Sequence, residues 1–429
     1  MLRSHRDGLT FLMLGVVVLA VFGPLLGHMA GWGFADFAGY YYPAKCLLEG
    51  GDPYRPSDVH ATMGRTVPGD LADNKAAIMA ALCIHPPSEF SITAAISLLP
   101  YRLARASWIV ASIASVTVGA FLIWKWGAND SPVLCGACVG LMLVNSMTLI
   151  AGGNIAGIVI GLSIVATWCI FKRRNSAFAA LALALSFMLK PQDVGFLWLY
   201  FLWKGGTSRK RALEALALMF LLSAPCLLWL SWHSPHWLME LSGNVKSSTG
   251  PGGFNDPHTS HSVVNLQAAL SLFSNDPRIY NAASYALCGA LLLAAAYKVV
   301  RSNLCRPADE LVLAAIVPLS LLITYHRTTD APLLLYSVPA LTILWARCSR
   351  KTRRAALLAT LPAMLFTGDL FRISLFVLAN HFRSKEYLLD QLFRLMQVAL
   401  APSALLAMSV FYLVMYWRTP LELDREDTP

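Results

Sequence analysis

What this chain has little of is charge. Of its 429 residues only 14% are Asp, Glu, Lys or Arg, against about 25% in a soluble domain. Hydrophobic residues make up 56%, and the mean hydropathy is +0.56. A free-standing soluble enzyme is excluded. Several motifs are missing as well. There is no Walker loop, no G-x-G-x-x-G and no G-x-S-x-G, which removes the sequence grounds for nucleotide cleavage, a dinucleotide fold or a hydrolase elbow. No repeat, low-complexity tract or linker divides the chain, so residues 1–429 read as one integral membrane domain. Two H-x-x-H pairs, His233/His236 and His258/His261, lack the glutamate that a zinc site of this type needs. The nine cysteines are scattered. Cys46 and Cys83 fall in one loop and read either as a disulfide or as two free thiols. The net charge is +10. In a multispanning chain such an excess belongs to cytoplasmic loops, and no nucleic-acid partner is expected.

What is there is a series of apolar runs. They fall near 9–29, 88–100, 104–124, 132–150, 154–171, 176–189, 191–203, 212–231, 281–297, 309–324, 331–346, 355–378 and 394–416. An all-α polytopic protein follows, with about 10–13 transmembrane or re-entrant helices. Arg3 and Arg6 precede the first run, which is long for a signal peptide and reads as a retained anchor. Basic clusters lie at Lys172–Arg174, Lys204–Arg211, Lys298–Arg306 and Arg347–Arg354. Placing them all in the cytoplasm, with both termini, puts residues 30–87 and 232–280 outside and makes 418–429 a cytoplasmic tail. One early run must then fail to cross. The short run 88–100 is one candidate, and a hairpin over 132–150 is the other. Runs 176–189 and 191–203 read as a helical hairpin with Lys190-Pro191-Gln192-Asp193 at its outer tip.

Three polar stations converge on the outer face. In the loop 30–87, apolar residues at helical spacing around Tyr40 and Tyr41 suggest a helix lying in the membrane interface, with its tyrosines at headgroup depth. Asp36 stands at its start, as a helix cap or as a catalytic carboxylate. Gly50-Gly51-Asp52-Pro53-Tyr54 reads as the turn that ends this helix. The second station is "CIHPPSEF", residues 83–90. Here His85 is an interface or ligand-binding residue, and Glu89 a cap, a pairing partner or an acid. The third comprises Asn154, Lys190 with Gln192 and Asp193, and Tyr325-His326-Arg327 with Asp330. A lysine within a span costs roughly 2.5–3.5 kcal/mol and calls for a partner or a function. Lys190 therefore either pairs with Asp193 or, with His326 and Arg327, neutralises a lipid phosphate.

The order of these features resembles glycosyltransferase family 87 of the GT-C superfamily. An Asp follows the first span, then come Tyr-Tyr, "AKCLLEGGDPY", a Pro-Pro segment, "GGN" before a span, and "LKPQ" closing a short helix. The resemblance covers most of residues 9–346. It implies a GT-C-like hexosyltransferase of the cell inner membrane. The donor would be a polyprenyl-phosphate monosaccharide, often of mannose, and the acceptor a glycolipid or glycan of the envelope. It places the base at Asp36, on the extracytoplasmic side, and donor contacts at Lys190, His326, Arg327, Asn154, His85 and Gln192. Tyr40, Tyr41 and Tyr54 would form the interfacial acceptor loop. His85-Pro86-Pro87 stands where the family has Tyr-Pro-Pro, and Gly152-Gly153 where it has Gly-Gln. A monophosphate carries little charge, so no cofactor is expected and a divalent cation is not required. A lipid or solute transporter, or a non-catalytic scaffold, is the reading from another class. A transporter would show related halves with broken helices in both, which the chain does not.

Overall fold

The computed structural model of the chain describes residues 2–29, 34–66, 81–173, 175–260, 262–302, 307–323, 325–382 and 387–418. Parts of the expected outer loop (30–33 and 67–80), His261, and the expected cytoplasmic tail beyond Arg418 lie outside these residues. The described chain is helical throughout, with only an isolated β-bridge between Val263 and Arg327. The helices are α1 (Leu2–Met29), α2 (Ala35–Leu48), α3 (Pro56–Thr66), α4 (Phe90–Ser97), α5 (Tyr101–Gly127), α6 (Pro132–Val144), α7 (Met147–Gly152), α8 (Ala156–Phe171), α9 (Ser176–Leu189) and α10 (Pro191–Lys204). There follow α11 (Gly206–His233), α12 (Trp237–Thr249), α13 (Leu266–Leu270), α14 (Pro277–Arg301), α15 (Ala308–Ile323), α16 (Val338–Arg347), α17 (Arg350–Thr367), α18 (Asp369–Phe382) and α19 (Tyr387–Arg418). Short 3₁₀ segments precede α4 and α16, over Pro87–Glu89 and Thr328–Ser337.

Seven helical stretches are long and apolar enough to cross a membrane, and the bent pair α17/α18 makes an eighth. Helix α4 has eight residues and spans about 12 Å, far short of a bilayer core of about 30 Å. Of the two early runs read as possibly not crossing, 88–100 therefore forms a helix too short to span. The stretch 132–152 is a single apolar stretch, broken at Asn145 but long enough to cross, and is not a hairpin. Helices α8, α9 and α10 are also short, at 16, 14 and 14 residues. The 3₁₀ segment with α16 forms the most buried span, with 89% of its apolar window inside the protein. On the periphery, α11 turns Phe220, Leu221, Leu228 and Trp232 outward. Those are the side chains that lipid would cover.

The two ends of the bundle differ. At one, Trp126 Nε1 donates to Glu310 Oε1 at 2.8 Å, Lys204 and Tyr200 both bond Asp309, and Arg347 reaches Asp130 at 3.1 Å. His5 of α1 stacks edge-on near Trp124, 6.3 Å away, at this same end. The described basic residues of the sequence clusters gather here together with the start of α1. At the other end stand Asp36, Asn154, Lys190 and Arg327. One geometry thus satisfies the charge pattern of the whole chain. Cys46 and Cys83 are free thiols, not a disulfide.

Helix α1 is held by backbone contact. Gly15 approaches Gly140 so closely that a Cβ on Gly15 would meet the Gly140 Cα at 2.7 Å, and a Cβ on Gly136 would overlap the Gly8 carbonyl. Gly136 and Gly140 are four residues apart, the small-xxx-small spacing that lets membrane helices approach on dispersion and packing alone. A β-branched side chain has nowhere to go there. We expect Gly136→Ile to lower the melting temperature in detergent micelles markedly, by a destabilisation of about 1–3 kcal/mol or more. Gly195→Ala is the comparison, because a Cβ at Gly195 meets nothing within 4 Å. An unchanged melting curve for Gly136→Ile would show that α1 does not pack this way.

Candidate active site

A cavity of about 200 Å³ opens at the end of the bundle opposite the basic clusters. Asp36, Tyr40, His85, Asn154, Lys190, Gln192 and Arg327 all line it. Residues far apart in sequence reach it because helices break there. Helix α8 begins, and the α9–α10 turn falls, at the level of the cavity floor. The 325–330 segment interrupts the path from α15 to α16.

Asp36 is in the first turn of α2. It does not cap the helix: the N-cap position is Phe34, in the left-handed region, and no side-chain cap bond forms. Its Oδ2 instead accepts from Asn154 Nδ2 at 2.8 Å, while Asn154 Oδ1 accepts from the Ala156 amide at 2.9 Å. The Asn154 amide is thus fixed at both ends, and it orients the carboxylate. The two glycines before it make room. A Cβ on Gly152 would stand 3.0 Å from Asp36 Oδ2, and one on Gly153 would stand 2.8 Å from the Phe37 Cβ. Gly153 has φ +68°, and its carbonyl accepts from Trp108 Nε1 at 2.9 Å. A side chain in either place would push α2 off the cavity.

Lys190 closes the opposite wall. It caps the break between α9 and α10, held by Pro191 at the first position of α10. Its ammonium bonds Asp330 and lies 3.2 Å from Asp193 Oδ1. The pairing with Asp193 read from sequence is present, and a closer partner 140 residues away joins it. His326 departs from expectation. It is fully buried and does not line the cavity. Its Nδ1 faces Asp330 Oδ2 at 3.0 Å and Asp193 Oδ1 at 3.3 Å, so it braces the carboxylates from behind. The reason is the backbone on either side. The His326 carbonyl and the Thr328 amide bond Val264 and Ser262 at 3.0 Å, which turns the His326 ring inward and Arg327 toward the cavity. Arg327 donates to the Phe254 carbonyl at 3.3 Å. Its buried Nε has no partner among the described residues.

Asp193, His326 and Asp330 offer ligand atoms within 4.8 Å of one another. That is a plausible donor set for a cation, but the Lys190 ammonium already contacts both carboxylates.

The tyrosines also differ from expectation. Tyr40, Tyr41 and Tyr54 are buried in protein, at 4%, 3% and 0% exposure, not spread along an interface. Tyr41 donates to the Leu99 carbonyl and Tyr54 to the His85 carbonyl, at 2.9 and 2.8 Å. A phenol with an internal acceptor no longer needs the headgroup region. Of these three, Tyr40 alone lines the cavity, with its ring 4.6 Å from that of His85. His85 Nδ1 lies 3.3 Å from Glu89 Oε2. Burial pushes the Glu89 carboxyl well above its ordinary range, while burial and the Lys190 charge hold His85 well below its own. Both shifts favour the uncharged forms, and neither Glu89 oxygen has a hydrogen-bond partner among the described residues. The turn at 50–54 forms as read, with Gly50 at φ +82° and the Tyr54 amide bonded to Asp52 Oδ1 at 2.9 Å.

Sequence reasoning passed over one wall entirely. Val245, Ser248 and Thr249 of α12, with Phe254 and Asn255, complete the cavity from the second loop. Asn244 Nδ2 ties that wall to the first loop through the Tyr54 and Cys83 carbonyls, at 2.7 and 2.9 Å. The only signal was a cluster of small polar residues in an otherwise apolar chain.

The charge cluster yields a test. Lys190→Met leaves Asp193 and Asp330 buried together without their ammonium, and we expect a loss of roughly 3–5 kcal/mol of stability. Adding Asp330→Asn removes one of the stranded charges and should recover much of that loss in thermal melts. Equal melting of the parent and Lys190→Met would mean the cluster does not form.

A family model for glycosyltransferase family 87 matches residues 84–324, more than half of the chain. No curated protein and no solved structure matches it. The match takes in His85, Asn154, Lys190 and Gln192. Asp36, His326 and Arg327 fall outside it and join the matched region only in space, Asp36 through the hydrogen bond from Asn154. With a helical bundle of membrane-spanning character and a family model matched over more than half its length, the chain belongs to glycosyltransferase family 87.

Proposed function

We propose that this glycosyltransferase moves a hexose, mannose being the leading candidate, from a polyprenyl-phosphate donor to a glycolipid or glycan of the cell envelope. The observation that carries the reading is the pairing of opposite chemistries across one small cavity. A carboxylate oriented by Asn154 faces a wall bearing Lys190 and Arg327.

Asp36 acts as general base. As the acceptor oxygen attacks the anomeric carbon, the carboxylate takes its proton and the bond from that carbon to the phosphate oxygen breaks. One displacement inverts the anomeric centre. Negative charge grows on the departing polyprenyl phosphate, and preorganised cations on that side lower the barrier. Arg327 is better placed for this than His326. Arg327 lines the cavity with an unpartnered Nε, whereas His326 is spent on the carboxylates behind Lys190. Lys190 shares its charge with Asp193 and Asp330, so it serves chiefly to position the wall. A resident cation made from a side chain fits a reaction with no metal requirement. The His85–Glu89 pair and Tyr40 suit contact with the sugar, because a neutral, hydrogen-bonding and aromatic surface matches a ring carrying hydroxyls.

The short helices bear on the lipid carrier. Helix α9 covers about 21 Å, so Lys190 lies several Å below the level at which a full span would end. A phosphate at that depth is reached by a donor whose chain stays in the bilayer. The basic end then faces the cytoplasm and the cavity the extracytoplasmic side.

Two experiments test this. Asp36→Asn keeps the shape and can still bond Asn154, but it cannot accept a proton. At saturating donor we expect turnover to fall by about a hundredfold or more, with melting and donor affinity retained. Turnover within about threefold of the parent would remove Asp36 from the mechanism. The orientation is read by thiol labelling. A cysteine at exposed Arg55 should react with an impermeant reagent on intact cells, and one at exposed Arg350 only after the cytoplasmic side is opened. The reverse pattern would overturn the assigned side.

A further inference from the structure

A second cavity, of about 290 Å³, lies at the basic end of the bundle, across the protein from Asp36. Its walls are Trp126, Trp168 and Phe171 on one side, and on the other Lys172, Arg173 and Lys204 with Thr207 and Ser208. We propose that it holds the phosphate of an anionic lipid headgroup from the leaflet on that side.

The charge there is of one sign where it is free. Asp309 is the single carboxylate of the wall, and it is already bonded by Lys204 and Tyr200. Lys172 and Arg173 form no ion pair among the described residues. Lys172 instead rests its ammonium 5.3 Å from the Trp168 ring centre, and Lys204 lies 4.6 Å from that of Phe171. Cations held over aromatic faces keep their positions while leaving their protons available.

The backbone adds donors. The 28-residue helix α11 starts at Gly206, with Gly205 as its N-cap and no side-chain cap. Its first turn therefore has amides without an intrahelical acceptor, at the positive end of a long helix. Gly205 and Gly206 have φ +78° and +54°, and nothing stands within 4 Å of where their Cβ atoms would be. The approach to these amides is open. Ser208 supplies an independent sign of a ligand. It is 5% exposed, it lines the cavity, and its hydroxyl makes no hydrogen bond among the described residues. An unbonded hydroxyl at the cavity wall, beside free amides and two cations outside any ion pair, is a set of donors awaiting an acceptor. Basic pockets between membrane helices on the cytoplasmic side are where anionic headgroups bind. Trp126, Trp168 and Phe171 give the cavity an aromatic wall beside its cations, which suits an amphiphile better than a free ion.

The test uses the full-length protein, delipidated in detergent and titrated with dioleoyl phosphatidylglycerol or dioleoyl phosphatidylcholine by native mass spectrometry. The parent should bind phosphatidylglycerol more tightly than phosphatidylcholine. Lys172→Ala with Arg173→Ala should weaken phosphatidylglycerol binding by about tenfold or more, since each cation near a headgroup contributes severalfold. Lys351→Ala with Arg354→Ala removes the same charge from exposed positions at the same end, and it should leave binding within about twofold. Melting without lipid checks that both pairs fold. Equal loss in the two pairs would reduce the site to a general basic surface and overturn the proposal. So would unchanged binding in Lys172→Ala/Arg173→Ala. Inorganic phosphate should compete only at millimolar concentration. If it binds the parent tightly while phosphatidylglycerol does not, the ligand is a free phosphate and the lipid assignment fails. None of these readouts depends on transferase activity, so the outcome stands apart from that of Asp36→Asn.

Discussion

The Lys190 ammonium, set between two buried carboxylates, is the contact on which the site depends. It joins the turn between α9 and α10 to the 3₁₀ segment that leads into α16. The elements belong to different parts of the chain, and no backbone ladder connects them. In an apolar interior an unpaired charge is far more costly than in water. The cluster must therefore close completely, with His326 bracing Asp330 and Asp193 from the far side. Closing it fixes where Arg327 points, and hence the composition of the cavity wall.

The same constraint governs the backbone. A helix broken at membrane depth exposes amides and carbonyls that lipid cannot satisfy. This protein breaks several helices and supplies each break with a partner. Asn145, between α6 and α7, donates to the Met364 carbonyl at 2.6 Å and accepts from the Leu370 amide at 2.6 Å. Asp369, at the 61° bend between α17 and α18, accepts from the Thr148 amide at 2.6 Å. Two broken spans thus satisfy one another. Close to the cavity, Asn154 does the same for the start of α8 and uses its other end on Asp36. One side chain both orients the Asp36 carboxylate and repairs the backbone. Arg372 extends the link by donating to Thr328 Oγ1 at 3.1 Å, tying the bent α18 to the 3₁₀ segment beside the cavity.

The two ends of the molecule are built for opposite tasks. At the Asp36 end, positive groups are paired or held beside carboxylates, so the cavity carries both signs and can move a proton. At the Lys172 end, the carboxylate of the cavity wall, Asp309, is bonded by Lys204 and Tyr200, while Lys172 and Arg173 form no ion pair among the described residues. The anion site proposed above lies on that surface.

Much of this was legible in the chain. Low charge and repeated apolar runs were enough for a helical membrane protein, because only helices or closed barrels satisfy backbone groups in lipid. The described residues of the four basic clusters lie at one end, and of the two runs the sequence left as possibly not crossing, 88–100 forms the helix too short to span. Asp36, Asn154 and Lys190 stood out because polar groups are expensive in such a chain. Other features belong to tertiary structure alone. Helical spacing around Tyr40 and Tyr41 is the same whether the apolar face meets lipid or protein, and only the Leu99 carbonyl decided for Tyr41. His326 and Arg327 are neighbours in sequence, and the bridge to Val263 sent one inward and the other to the cavity. The Gly136-x-x-x-Gly140 contact was present in the letters, but its partner, α1, was not. Sequence sets the cost of placing each group in a membrane; which partner meets that cost is a matter of distance, and distances across hundreds of residues exist only once the chain has folded.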